Sequence, residues 1–358
     1  MLRVSRNVTQ GCCMCDTQTM GRLIHTAQAM VDQVVNIPAL PERSENTIAD
    51  SVAFYAASAV NVHLAAARSG AQCVHAGSVG TGRYADTIRA ALDAVGVTIS
   101  SPPVLECDSG VCIVFVERTG ERTFVTVQAA ERIISVESLA TSQPQPGDYV
   151  CVSGYTLQGR TRDPLLRWLQ ELPSGVEIVL DPGAALARVS QRTRDAILDL
   201  TTLWSSNAFE AYELTGEHDM RAAAPRVAKY LHPSARIVIR DGAAGCLTHA
   251  RGVSTYLPGF PQRAVDTNGA GDTHVGVMVA CLLTGFTLNE SCLRANAAGA
   301  IKVRRHGPDT APTAAEINAF LAVQETPAAQ ETPAAFGSTP FEKGAPSVFE
   351  KGATSVAD

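Results

Sequence analysis

The chain has 358 residues, 46% hydrophobic and 18% charged, with a formal net charge of −6. That length holds one large α/β domain or two ordinary ones, and the composition is that of a folded globular protein. There is no surplus of Lys and Arg to neutralise phosphates, which excludes a general nucleic-acid binder. The longest apolar run, around Val275–Leu283, is far short of the roughly 20 residues a bilayer requires, so no membrane association is expected.

The chain starts MLRVSRNVTQGCCMC, which has no periodic pattern and no continuous apolar stretch of the secretory kind. Residues 1–20 are expected to form an unstructured leader, and the protein to be cytoplasmic. Cys12, Cys13 and Cys15 cluster there, but no second Cys or His pair follows at zinc spacing. The other seven cysteines are scattered singly, mostly in apolar segments, where a free thiol behaves as a small buried hydrophobe.

From residue 21 onward, apolar strands alternate with amphipathic helices. RLIHTAQA reads as a strand, SAVNVHLAAARSG as a helix closing on Gly70, QCVHAG as a strand and RYADTIRAALDAVG as a helix. DYVCVSG, VEIVLDPG and ARIVIRDG continue the strands, with DPLLRWLQEL as a helix between the first two. Near-continuous Val/Ile strands separated by helices predict a mainly parallel sheet covered on both faces, a three-layer α/β sandwich. Two segments break the alternation, at about 33–52 and 111–128. They read as extended ribbons, the second a hairpin around Thr119-Gly120, and predict a small β-sheet lid over the carboxyl ends of the strands. Beyond residue 322, QETPAA occurs twice from Gln324, and FEKGAPSV and FEKGATSV follow from Phe341. Short repeats of this composition cannot bury enough surface to offset ordering entropy, so 323–358 is expected to be a disordered tail.

The stretch VDTNGAGDTHVG, Val265 to Gly276, carries the chemistry. A helix starting near Gly269 and running through Leu283 presents first-turn N–H groups with no intrahelical acceptor. Gly269, Ala270 and Gly271 leave those groups bare, which makes an anion site reinforced by the helix dipole. Asp272 would repel a bound phosphate unless it takes a proton from a nucleophile attacking it. Anion hole plus general base is what phosphoryl transfer to an alcohol needs. Asp is also common as a cap in a first helical turn, and Gly-Ala-Gly can be a tight turn, so this stretch alone leaves both readings open. A Walker A loop is absent from the chain.

DTNGAGD resembles the DTxGAGD motif of the ribokinase-like (PfkB-type) carbohydrate kinases, and further elements of that family follow in order from about Arg22 to Leu321. GERTF, VSGY and HGPDTAPT are most similar to its uncharacterised YegV-type sugar kinase branch. The resemblance implies a ribokinase-like fold and an ATP-dependent kinase acting on a hydroxyl of a small sugar or sugar derivative. A nucleoside kinase and a non-catalytic nucleotide- or sugar-binding regulator are the alternatives. It implies Asp272 as catalytic base and Gly269–Gly271 as anion hole. Asn207 and Glu210 match its NxxE element, which arranges Mg²⁺ and its waters around ATP. Arg240, Gly242 and Gly245 align with its TLGxxG nucleotide loop, with Arg240-Asp241 replacing Thr-Leu. Thr267 and Asn296 fall at nucleotide-contacting positions, Asn296 near the adenine.

On the acceptor side, Asp32 coincides with the family's substrate-binding Asp, whose carboxylate accepts hydrogen bonds from sugar hydroxyls. Asn61 closes the element matching GGxxxN, but Ala56 and Ala57 replace its di-glycine. Their two methyl groups are expected to reshape the pocket. Asp266 matches a position beside a monovalent-cation (K⁺) site built largely from carbonyls, here around Asn268, Arg305 and Gly307. The family also implies a homodimer through the β lid, for which the apolar ribbon CIVFV is suited.

Overall fold

The computed structural model describes residues 21–325, so the expected leader and nearly all of the repeat-bearing tail lie outside the described residues. In chain order the elements are β1 (Leu23–His25), β2 (Ala29–Ile37), β3 (Ser51–Ser58), α1 (Ala59–Arg68), β4 (Cys73–His75), α2 (Arg83–Asp93) and β5 (Thr98–Ile99). Next come β6 (Val111–Glu117), β7 (Arg122–Val127), α3 (Val136–Ala140), β8 (Tyr149–Ser153), α4 (Arg162–Gln170), β9 (Glu177–Asp181) and α5 (Gln191–Leu200). The remainder are β10 (Leu203–Asn207), α6 (Ala208–Thr215), α7 (Met220–Ala228), β11 (Arg236–Arg240), β12 (Gly245–Ala250), β13 (Val253–Pro258), α8 (Ala270–Leu283), α9 (Leu288–Lys302) and α10 (Ala314–Glu325). The last helix passes the boundary expected at residue 322.

Nine strands form one sheet in the order β13-β12-β11-β10-β9-β8-β1-β4-β5. Pairing is parallel from β11 through β5, and only the β11–β12 and β12–β13 pairs are antiparallel. Alternation along each strand divides the core in two. Leu23, Tyr149, Cys151, Leu203 and Val238 pack with α1, α2, α8, α9 and α10 on one face. Ile24, Val150, Val152, Trp204 and Ile237 pack with α3 to α7 on the other. This is the expected three-layer sandwich.

The second sheet, in the order β3-β2-β6-β7, is the lid. It is larger than the two ribbons read from sequence, because β2 starts at Ala29 and β3 runs on to Ser58, through the segment aligned with the di-glycine element. The β6–β7 hairpin turns at Gly120, as expected, with φ of 88° there. Strand alternation sends Asp32, Tyr55 and Arg122 to one face of the lid and Phe54, Val52, Val125 and Val127 to the other.

Two local features set the site. Gly276 of α8 lies so close to α1 that a Cβ would sit 2.4 Å from the Val62 carbonyl oxygen, so only glycine lets these helices cross here. That crossing brings Asn61 to the start of α8. At the β3–α1 junction Ser58 has φ of 61° and ψ of −121°, a conformation that costs a non-glycine residue roughly 1–3 kcal/mol and persists only where surroundings impose it.

Candidate active site

Asp181, Asn207 and Arg240 stand at the carboxyl ends of β9, β10 and β11, where ligands of parallel α/β sheets bind. The N-terminus of α8 closes the same end. Gly269 is its N-cap, with φ of 74°, and a Cβ there would lie 3.0 Å from the Pro308 carbonyl. Bare backbone is required at this position twice over, by conformation and by space.

The first-turn N–H groups do not all stay free. That of Ala270 donates to the Thr267 carbonyl (3.2 Å), closing the turn. The N–H groups of Gly269, Gly271 and Asp272 have no acceptor among the described residues. Thr267 is exposed and serves this turn through its carbonyl.

Asp272 sits one residue into this array, partly exposed, and Oδ2 accepts from Asn61 Nδ2 at 2.9 Å. Burial pushes its carboxyl up to about 6. The Asn61 hydrogen bond and Arg240 oppose that rise, whereas the charges of Asp181 and Asp32 add to it. A carboxylate held near 6 is ionised at neutral pH and still basic enough to take a proton in a transition state.

Asn207 and Glu210 form a reciprocal capping box at the start of α6. Glu210 N–H donates to Asn207 Oδ1 and Asn207 N–H donates to Glu210 Oε2, both at 2.8 Å. The spacing Asn-x-x-Glu is therefore first of all a helix cap. Glu210 Oε1 makes no hydrogen bond among the described residues, which leaves one oxygen for a ligand. Burial, then the charge of Asp181, pushes the Glu210 carboxyl up to about 7, with Arg240 opposing.

Arg240 links these parts. Its Nη1 donates to the Gly271 carbonyl (3.2 Å) and its Nη2 to Asp181 Oδ2 (3.3 Å), with Glu210 Oε2 4.0 Å away. The side chain is 12% exposed. The loop after it turns at Gly242 (φ of 52°) and Gly245 (φ of 119°), and at Gly245 a Cβ would meet the Leu257 carbonyl at 2.2 Å. Both glycines of the aligned loop are thus explained by backbone geometry. Asp181 was not singled out in the sequence. Its position at the end of VEIVLDPG, in a parallel sheet, was the available signal.

Asn296 lies apart from this group. It is 9% exposed, Nδ2 donates to the Pro258 carbonyl (3.1 Å), and Oδ1 faces His274 Nε2 (3.2 Å), so its polar atoms tie α9 to β13 and α8.

On the acceptor side, Asp32 faces the α8 end from the lid, and Asn268 Nδ2 donates to its Oδ2 at 3.4 Å. Burial pushes the Asp32 carboxyl up to about 6, with Asn268 opposing. A second lid tether is the ion pair of Arg122 with Asp266, at 2.8 Å. The two alanines do not line an open pocket. Ala56 joins the core cluster with Val31, and Ala57, on the face of Asp32, is 1% exposed. Among the described residues, no group of three or more His, Cys, Asp and Glu could hold a metal ion, and no helix is long and apolar enough to cross a membrane. The seven described cysteines are free, five of them buried.

A bare helix N-terminus, a carboxylate within it and a cation beside it lie at the carboxyl end of a parallel sheet, and the comparisons with known proteins give the class, a phosphotransferase with a hydroxyl acceptor. Residues 23–315 match the pfkB family carbohydrate kinase, and the chain belongs to that family. It is 30% identical over 292 residues to the Escherichia coli uncharacterized sugar kinase YegV, covering 81% of this chain and 90% of YegV. To the Haemophilus influenzae ribokinase it is 27% identical over 304 residues, 81% of this chain and 95% of that one. Among solved structures, Arabidopsis thaliana ribokinase complexed with ribose and ATP superposes with a TM-score of 0.70, at 21% identity, over 84% of this chain and 99% of that one.

Proposed function

We propose that this chain transfers the γ-phosphoryl group of ATP to a hydroxyl of a small sugar or sugar derivative. The observation that carries the proposal is the pairing of Asp272, hydrogen-bonded to Asn61, with the acceptor-free N–H groups of Gly269, Gly271 and Asp272. Asp32, from the lid, accepts hydrogen bonds from acceptor hydroxyls. Asp272 takes the proton of the attacking hydroxyl as its oxygen bonds to phosphorus. The α8 N–H groups stabilise charge on the transferring phosphoryl. Arg240, held by Asp181 and the Gly271 carbonyl, adds a fixed cation beside that charge.

Glu210 Oε1 and the Asp181 carboxylate suit a hydrated Mg²⁺, an oxygen-binding ion that keeps several waters. Bound there with ATP, Mg²⁺ supplies neutralisation of phosphate charge. The outer face of the lid, with Val52, Phe54, Val125 and Val127 exposed, is assigned to a second copy of the chain in a homodimer.

The test is ADP release by purified protein with Mg-ATP across a panel of sugars and nucleosides. Release stimulated by a sugar is expected. Stimulation by nucleosides alone would replace the acceptor class, and tight ligand binding without acceptor-dependent release would replace the kinase with a regulator.

A further inference from the structure

Lys302, the last residue of α9, is a lysine with 0% of its surface exposed. Its ammonium makes one hydrogen bond among the described residues, to the backbone carbonyl of Asp266 at 3.0 Å, and has no ion-pair partner within 4.0 Å. Burying an ammonium with so little compensation is expensive, so packing gives no reason for a lysine here. Burial holds the Lys302 ammonium below its ordinary range, and the charges of Asp266, Asp272 and Asp309 oppose that fall, while Arg122 adds to it.

Donors and positive charge already occupy the Asp266 side of this region. Asp266 Oδ1 accepts from Arg122 Nη2 (2.8 Å) and Asn268 N–H (2.9 Å), and Oδ2 accepts from Gly307 N–H (3.0 Å). The Gly307 carbonyl accepts from Thr310 Oγ1, the Asp309 and Ala311 carbonyls from Arg68, and the Thr310 carbonyl from Arg305. The Asp266 carboxylate and the Gly307 carbonyl thus already face donors, while the Asn268 and Arg305 carbonyls accept no hydrogen bond among the described residues. Two positive groups, Lys302 and Arg122, already converge on Asp266 and would repel a third. The residues present therefore do not fit the potassium site that the family resemblance implies.

We propose that the Lys302 ammonium is the built-in monovalent cation of this site, holding the Asp266–Asp272 segment from behind, and that the enzyme works without potassium. The inference rests on the kinase reading above. Lys302 is a positioning residue, because it acts through the backbone of that segment and touches no reacting atom.

The primary measurement is the rate of the wild-type enzyme in potassium chloride and in tetramethylammonium chloride at equal ionic strength. Equal rates are expected, and a several-fold activation by potassium overturns the proposal. In Lys302→Ala, the rate should fall at least about tenfold and recover with added K⁺ or NH₄⁺, since a lost fixed charge is then replaced by a free ion. A folded variant with no ion-specific recovery also overturns it. If no acceptor supports turnover in any salt, the kinase reading is what fails. The cation site is then read from thermal unfolding of the wild-type protein: equal midpoints in the two salts are expected, and a potassium-specific rise contradicts the inference.

Discussion

The phosphoryl end and the acceptor end of the site are built in different ways. The phosphoryl end comes from strand termini and one helix N-terminus of the nine-stranded sheet, fixed by core packing on both faces. The acceptor end hangs from a four-stranded lid, which reaches the base of the site through Asn268–Asp32 at 3.4 Å and Arg122–Asp266 at 2.8 Å. Rigid elements suit stabilisation of developing charge, which depends on preorganised donors. A separate sheet suits an acceptor that must enter and leave. Substitutions at the phosphoryl end should therefore act on kcat, and those in the lid on acceptor affinity and assembly.

The largest effect is expected at the base. Asp272→Asn should lower kcat by about 10²–10⁴-fold, the contribution of a positioned general base. The same change should stabilise the fold. The Asp272 carboxyl is raised from 3.8 to about 6, so the native state holds this proton more tightly than the unfolded chain. The contribution of this group to stability is then greatest below pH 3.8 and is lost as pH rises through about 6. Removing the ionisable group relieves a cost on the order of 1–3 kcal/mol at pH 7, to be read by denaturant titration.

Next in size is Arg240→Met, for which steady-state kinetics should show about a 10²-fold loss in kcat with acceptor KM little changed. A loss confined to KM would move Arg240 out of the phosphoryl end. Asn61→Ala removes the hydrogen bond that holds the Asp272 carboxyl down, so the acid limb of the kcat/KM profile should move to higher pH. An unshifted limb would separate Asn61 from the base. The smallest kinetic effect belongs to Val125→Asp on the outer lid face. If the proposed dimer forms, this change should convert it to a monomer in sedimentation and leave the phosphoryl end intact; a wild-type protein already monomeric would remove that interface.

The two ends were also unequally legible in the sequence. DTNGAGD was legible as a helix start because glycine with positive φ leaves a local trace at Gly269, and its likeness to a family motif, not its composition, favoured an anion site over a simple cap. The strand–helix alternation was readable from hydrophobic period, which placed β1, β4, β8, β9 and β11 and helices α1, α2, α4 and α8 to within a few residues, and left most other elements outside the lid unread. The contact of Arg240 with Asp181 was not, since those residues lie 59 positions apart and meet only because β9, β10 and β11 are neighbours. The lid was underestimated because Ser51–Ser58 has no strict alternation of apolar and polar residues, and its alanines vanish into the core rather than lining the pocket. Ala270 and Asn296 make contacts that their positions in the sequence did not reveal. Their polar groups turned out to close a turn and to bridge two helices and a strand.

The central claim is that Asp272 is needed for transfer and not for holding nucleotide. Its most direct test is one preparation of Asp272→Asn, with acceptor-dependent ADP release and nucleotide affinity measured side by side. Loss of release with nucleotide affinity preserved is the predicted result. Release at the wild-type rate would contradict the account.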